Sequence, residues 1–163
     1  MREKPCSMGF SLVSCGQIVY NETKNNAATV PLKEGTSMSY QEKATELHES
    51  GCNCCQAVLG ACCEKWDMDP DTAYRLGAFF GGGMRRGEVC GAVTGALMAL
   101  GLEYGDENNR KSLKSLEFMK AFREQYGSLL CKELLGEDGK KKKELCPVLI
   151  RFCTEYLEKE FTR

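Results

Sequence analysis

Residues 81–101, with the sequence GGGMRRGEVCGAVTGALMALG, constrain the fold more than any other stretch of the chain. Three consecutive glycines permit backbone conformations that other residues avoid, so the stretch begins with a loop rather than a regular element. The residues after Cys90 are small or apolar and almost uncharged. A helix that is apolar nearly all round must be buried by other helices. The stretch therefore predicts a glycine loop that leads into a central, buried helix near residues 89–104.

The rest of the chain from Ser39 onward also has helical periodicity, and no convincing strand alternation occurs in residues 38–163. Residues suited to the ends of helices recur at fitting positions: Asn53 with Gln56, Asp69 with Pro70, and Gly127. A long amphipathic helix should run from about Asp106 to Tyr126, and the last helix should start at Pro147. The predicted fold class is all-α, a compact bundle of five to seven helices.

Residues 1–37 differ in character from the remainder. They are polar, contain Pro31 and Gly35, and show no sustained hydrophobic period. We predict either a flexible N-terminal extension or an over-annotated start with Met38 as the true first residue. A single helical domain with a real core should follow over residues 38–163.

Charge and hydropathy argue against several classes of protein. Lys plus Arg is 22 and Asp plus Glu is 23, so the chain lacks the basic excess of a nucleic-acid-binding protein. No apolar run reaches the roughly 18 residues that a membrane span needs. No export signal is visible, so we expect a cytoplasmic, reducing location. Apolar faces on several helices would allow a homodimer.

Eleven cysteines and a single histidine, His48, dominate the chemistry of the chain. In a reducing compartment, cysteines are more often metal ligands, redox centres or core residues than structural disulfides. One histidine makes a zinc finger with two cysteine and two histidine ligands impossible. Four of the cysteines fall at predicted helix N-termini: Cys54, Cys90, Cys131 and Cys146.

A helix N-terminus presents unpaired N–H groups and the positive end of the helix dipole. Both favour a thiolate over a thiol and should lower the pKa of these four cysteines. Thiolates attack disulfides and bind soft metals, and the glycines at 81–83 would let the backbone approach a bound group closely. We expect Ser128 to cap the helix that carries Cys131.

The remaining cysteines fit core or auxiliary roles. Cys62 and Cys153 lie among apolar residues inside helices, where a free cysteine acts as a small hydrophobe. Cys52 and Cys55 have CxxC spacing, which favours a thiol–disulfide pair, although the strand-then-helix context of a thioredoxin-like motif is missing. On this assignment Cys90→Ser should abolish a cofactor or redox activity, whereas Cys153→Ser should only weaken the fold.

The order of these residues resembles a known family. Residues 90–95 form a CGAxxG motif, preceded by Cys54 in GCNCCQAV and followed by Cys131 in CKELLG and Cys146 in CPVLIRFC. This order, over about residues 39–160, is similar to the C_GCAxxG_C_C family of redox-active proteins. The resemblance implies a small bacterial or archaeal redox protein with residues 1–37 outside its domain. It also implies genes for transporters or oxidoreductases nearby, so one of these is the expected partner.

Four functions remain open at this point. The first is an electron carrier or oxidoreductase component with an iron–sulfur cluster or other metal centre on Cys54, Cys90, Cys131 and Cys146. The second is a thiol–disulfide redox protein with no cofactor. The third is a structural zinc site with four cysteine ligands, although such sites usually use closely spaced ligand pairs. The fourth is a helical interaction protein with many core cysteines.

Overall fold

The computed structural model describes residues 38–105, 113–136 and 141–163. The described ranges contain seven α-helices: α1 Tyr40–Glu49, α2 Cys54–Cys62, α3 Pro70–Gly77, α4 Gly91–Tyr104, α5 Lys114–Tyr126, α6 Cys131–Leu135 and α7 Lys142–Phe161. A 3-10 turn, Cys63–Trp66, extends α2, and a further short turn spans Gly83–Gly87. These ranges contain no strand, only an isolated bridge between Val89 and Leu130. The all-α prediction is confirmed.

Two of the predictions concern residues outside the described ranges. The proposed extension over residues 1–37, with Cys6 and Cys15, is one of them, and the described residues begin at Met38. The first part of the predicted long helix, residues 106–112, is the other. No described helix has the length and apolar character needed to cross a membrane.

Three of the predicted helix ends agree with the structure. The Asn53 side chain accepts hydrogen bonds from the N–H groups of Cys55 and Gln56, and Gln56 Oε1 accepts from the N–H of Asn53. Asp69 accepts from the N–H of Thr72 at the start of α3, with Pro70 at the first helical position. Gly127 ends α5 with a φ of 82°, which glycine adopts without strain.

The α4 helix is the central, buried element that the sequence predicts. It packs against α2, α5 and α7. Gly95 permits the close approach of α2, because an added Cβ would lie 2.8 Å from Cys55 O and 3.1 Å from Val58 Cβ. The small residues of α4 therefore allow neighbouring helices to pack against it closely.

The start of α7 was predicted wrongly. The helix begins at Lys142, not Pro147, and Pro147 lies inside it. Proline lacks the N–H that would donate to the carbonyl of Lys143, but Lys143 is exposed, so water can satisfy that carbonyl. Leu145 and Cys146 pack against the core on the same turn. Their burial offsets the cost of one lost hydrogen bond.

At the other end of α7, a buried carboxylate ties three elements together. The Glu160 side chain is 5% exposed and lies 2.6 Å from Lys114 Nζ of α5. Tyr104 of α4 donates its hydroxyl to the same carboxylate at 3.1 Å. An ion pair and a hydrogen bond thus join α4, α5 and α7 at the C-terminal end of α7.

Candidate thiol site

The four cysteines singled out in the sequence come from four separate elements. Cys54 is the first residue of α2, Cys90 is the N-cap residue of α4, and Cys131 is the first residue of α6. Cys146 follows a full turn of α7, so its predicted place at the helix cap was wrong. The four are called the thiol cluster below, and their exposed fractions run from 3% for Cys90 to 8% for Cys54.

Backbone pairing brings Cys90 and Cys131 together. The Cys90 N–H donates to Leu129 O at 2.8 Å, and the Cys131 N–H donates to Glu88 O at 2.7 Å. The pairing replaces the cap that we expected from Ser128, since Leu130 occupies the cap position of α6 and its N–H donates to Ser128 Oγ. The start of α6 is thereby fixed beside the start of α4.

Cys54 reaches the same place from α2 because residue 91 is glycine. An added Cβ on Gly91 would lie 2.6 Å from Cys54 Sγ and 2.8 Å from Phe80 O. The Asn53 amide also donates to the carbonyls of Gly77 and Ala78, which holds the end of α3 against the start of α2. Cys54 is thus packed between α4 and the segment that leads into the glycine loop.

The glycine loop contains a left-handed turn. Gly82, Gly83, Met84 and Arg85 have consecutive φ values of 62°, 61°, 54° and 59°. Only the first two are glycines, and a left-handed conformation costs other residues roughly 1–2 kcal/mol each. Gly83 has to be small, because an added Cβ would lie 2.8 Å from Cys131 Cβ. The loop therefore covers the Cys131 side of the cluster.

The cluster thiols are close enough to influence one another's ionisation. Charge on Cys54 raises the pKa of Cys90, Cys131 and Cys146. Charge on Cys131 likewise raises the pKa of Cys90 and Cys146. Charge on Cys54 therefore acts on each of the other three cysteines that the sequence analysis selected, which places the four thiols within electrostatic range of one another.

Burial outweighs the helix N-termini in setting these pKa values. Desolvation, followed by charge on Cys54, raises the pKa of Cys90 to about 12, although the nearby backbone N–H groups of Ala92 and Val93 lower it in part. The same two causes raise the pKa of Cys146 to about 11, with Lys142 lowering it in part. The expected lowering is therefore not found at these two positions. Their thiols are protonated at neutral pH unless a bound group displaces the protons.

One neighbour of the cluster was missed by sequence reasoning. Cys153 is fully buried on α7, and charges on Cys90 and Cys54 add to the desolvation that raises its pKa. The sequence analysis assigns Cys153 to the core alone, because it lies among apolar residues inside the last helix. With α7 beginning at Lys142, Cys146 and Cys153 lie seven residues apart on the same face, which was the available signal.

The other cysteines lie apart from the cluster or beside it in core positions. Cys62 and Cys63 are at the opposite end of α2, where their thiols donate to the carbonyls of Val58 and Gly60. Cys55 is fully buried, and desolvation raises its pKa to about 12. The single histidine, His48, has its Nδ1 3.0 Å from Cys52 O. This ring nitrogen is engaged with the backbone.

The arrangement of the thiols differs from that of the ligands of a single metal ion. Among residues 38–105, 113–136 and 141–163, no group of three or more histidine, cysteine or acidic side chains is arranged to hold one. Four thiolates around one zinc ion stand about 3.8 Å apart, from a Zn–S distance of about 2.3 Å. The thiol cluster is gathered and charge-coupled, but it is not preformed for one ion.

Fold and site together define an all-helical, cysteine-rich protein with buried thiols from four elements at one place. The family described as "Putative redox-active protein (C_GCAxxG_C_C)" matches residues 52–160, so the chain belongs to this family. The match spans every member of the thiol cluster, and redox activity is the function that the family description indicates. Neither a curated protein nor a solved structure matches the chain.

Proposed function

We propose that the chain is a redox protein whose thiol cluster holds an iron–sulfur cluster. The observation that supports this most is the convergence of four buried thiols from α2, α4, α6 and α7. Fe–S clusters are bound by four cysteine thiolates, so the donor number and donor type fit. Ligands of a polynuclear cluster bind different iron atoms and stand farther apart than the ligands of one ion, so the absence of a single-ion site among the described residues does not bear against this proposal.

The surroundings of the thiols also suit a bound, electron-rich sulfur site. The backbone N–H groups of Ala92 and Val93 lie near Cys90 Sγ and lower its pKa in part, and N–H groups directed at cluster sulfurs tune the reduction potential of an Fe–S centre. Gly91 leaves room beside Cys54 Sγ that a side chain would fill. When bound, the iron–sulfur cluster would supply one-electron transfer. The protein residues would hold it, exclude water from it and stabilise its negative charge.

The second candidate function is metal-free thiol–disulfide chemistry. It is favoured by the lack of a metal-ready ligand group in the described ranges. In this reaction the thiols of Cys54 and Cys90 would join as a disulfide. Two electrons and the two thiol protons pass to a disulfide of another molecule, which is reduced to two thiols. The raised pKa of Cys90 makes its thiol a slow nucleophile at neutral pH, which weakens this candidate.

The deciding experiment is purification without oxygen, followed by visible absorption spectroscopy and assays for iron, sulfide and zinc. Broad visible absorption with stoichiometric iron and sulfide is the expected result. A colourless protein containing zinc would refute the iron–sulfur assignment. A metal-free protein that loses two thiols on mild oxidation would replace it with the second candidate.

Cysteine variants then assign the ligands. Cys90→Ser should abolish iron and sulfide binding. Its matched control is Cys62→Ser, which changes an equally buried thiol at the far end of α2 and should leave the iron content unchanged. Cys153→Ser is not a neutral control, because Cys153 lies within reach of the charge on Cys90 and Cys54. Equal iron loss in Cys62→Ser would show that general destabilisation, not ligation, causes the effect.

A further inference from the structure

The surface next to the thiol cluster combines exposed apolar side chains with basic ones. Phe79 is 71% exposed and Met84 is 43% exposed. Four exposed basic residues, called the basic collar below, lie on the glycine loop, on α6 and at the start of α7: Arg85, Arg86, Lys132 and Lys142. None of these six residues belongs to the hydrophobic core cluster.

The collar lies at the rim of the cluster. An added Cβ on Gly87 would be 2.9 Å from Lys132 Cβ, which places the loop residues after Met84 against the start of α6. Charge on Lys142 acts on the thiols of Cys131 and Cys146, so its ammonium lies on the same side. Both lysines therefore border the side of the cluster that the glycine loop covers.

The exposed apolar residues belong to the same surface. The Arg85 guanidinium lies 5.4 Å from the centre of the Phe79 ring, in a cation–π contact. Met84 and Arg85 are held outward by the left-handed turn, at a cost in backbone strain that glycine at these positions would avoid. Both side chains are exposed, so burial in the core does not set the residue type at these two positions.

A surface of this composition matches one kind of partner. Apolar side chains within a charged rim are typical of protein–protein interfaces, and a basic rim attracts an acidic surface. Glu88 and Glu133 are exposed among the collar residues, and such alternation of sign suits a protein better than a polyanion such as nucleic acid. The basic collar also contrasts with the chain as a whole, whose formal net charge is −1.

We propose that the basic collar, with Phe79 and Met84, docks an acidic electron-transfer protein over the thiol cluster. The redox character of this partner rests on the proposed function, whereas its acidic, partly apolar surface follows from the collar alone. Docking at this position would bring the partner beside Cys131 and Cys146, two of the four thiols that are proposed to hold the redox centre. Steering by the collar would raise the rate of encounter and make it dependent on salt.

The test is a binding titration with flavodoxin, an acidic one-electron protein, and with cytochrome c, a basic one. Calorimetry at low salt should detect binding to flavodoxin only, and the affinity should fall as salt is added. The double variant Arg86→Glu/Lys132→Glu should weaken binding by about tenfold or more. The matched control, Lys120→Glu/Arg123→Glu, makes the same charge change on the exposed face of α5 and should alter the affinity by less than about twofold.

A third variant separates protein docking from simple anion attraction. Phe79→Ala removes the most exposed apolar ring and should weaken flavodoxin binding without changing its salt dependence. No binding to flavodoxin at low salt, or equal weakening by the α5 control, would overturn the proposal. So would full affinity in Phe79→Ala, because the surface would then attract any anion.

The readout keeps this proposal distinct from the proposed function. Calorimetric binding requires neither iron nor electron transfer. If the protein contains no metal but binds flavodoxin through the collar, the docking proposal stands and the iron–sulfur assignment is refuted. If the protein contains iron and sulfide but does not bind flavodoxin, the iron–sulfur assignment stands and the docking proposal is refuted.

Discussion

Gly91→Ala is the substitution that most directly tests the packing of the thiol cluster. The added methyl group would lie 2.6 Å from Cys54 Sγ, 2.8 Å from Phe80 O and 3.3 Å from Cys55 N. Two of these distances are far below van der Waals contact, and overpacking of this kind costs about 1–3 kcal/mol. Alanine recovers up to about 1 kcal/mol, because it loses less backbone entropy on folding. The expected net loss of stability is about 1–2 kcal/mol.

The same helix supplies the control. Gly101 lies inside α4 with nothing within 4 Å of an added Cβ, so Gly101→Ala should stabilise the protein by about 0.5–1 kcal/mol. The two alanine variants should therefore differ by roughly 2 kcal/mol in the free energy of unfolding. Urea denaturation of the reduced, metal-free proteins measures this difference.

Gly91→Ala should also change the position of a thiol in the cluster. Cys54 Sγ can avoid the new methyl group only by rotating about its Cα–Cβ bond, which moves it away from its present position. Gly91→Ala should therefore reduce the iron bound per chain, and Gly101→Ala should not. If Gly91→Ala proved as stable as Gly101→Ala and bound as much iron, the close packing of Gly91 on Cys54 would be refuted.

Three further predictions concern stability. Asn53→Ala should cost about 2–3 kcal/mol and Ser39→Ala only about 1, because both residues cap helices but the Asn53 amide also donates to Gly77 O and Ala78 O; equal urea midpoints would contradict this. The pKa of Cys55, Cys62 and Cys90 is raised by burial from 9.0 to about 12, so the metal-free fold binds these protons more tightly than the unfolded chain. Its stability should fall as the pH rises from 9 toward 12, and stability that stays level over this range in anaerobic urea titrations would be the contrary result. The hydrogen bond from Lys114 is the main cause that lowers the pKa of Glu160 below its ordinary 4.5. The ionised carboxylate therefore stabilises the fold above pH 4.5, and this stabilisation is lost as the pH falls through the pKa that Glu160 has in the folded protein. Glu160→Gln should therefore cost about 1–2 kcal/mol at neutral pH, and the difference from the natural protein should shrink in acid; a pH-independent difference would show that packing, not charge, is responsible.

The elements set by local chemistry were predictable from the sequence. Asn53 and Gln56 cap their own helix through contacts three residues apart, and Gly127 ends α5 through its own backbone conformation. The buried α4 could be predicted because its residues are small or apolar on every side. Such features depend on neighbours along the chain, which a single sequence displays.

The elements set by distant contacts were not predictable in the same way. Pro147 is a local signal for a helix start, but burial of Leu145 and Cys146 against other helices extends α7 back to Lys142. The pairing of residue 90 with Leu129 joins segments that no spacing rule connects. For the same reason the sequence showed the helix N-terminus beside Cys90 but not the depth of its burial, which reverses the expected direction of its pKa shift.

The four thiols of the cluster come from segments that are far apart along the chain. A group bound to all four would therefore affect how the molecule unfolds. The outermost members of the cluster, Cys54 and Cys146, belong to α2 and α7, which pack directly against each other. A group bound to all four thiols would act as a cross-link, and any opening that detaches α7 would have to break it. By mass action, such a group stabilises the closed form and suppresses sub-global opening of α7. Amide exchange in α7 should then slow when the group is bound. Helix α5 supplies no thiol to the cluster and should keep its own rate.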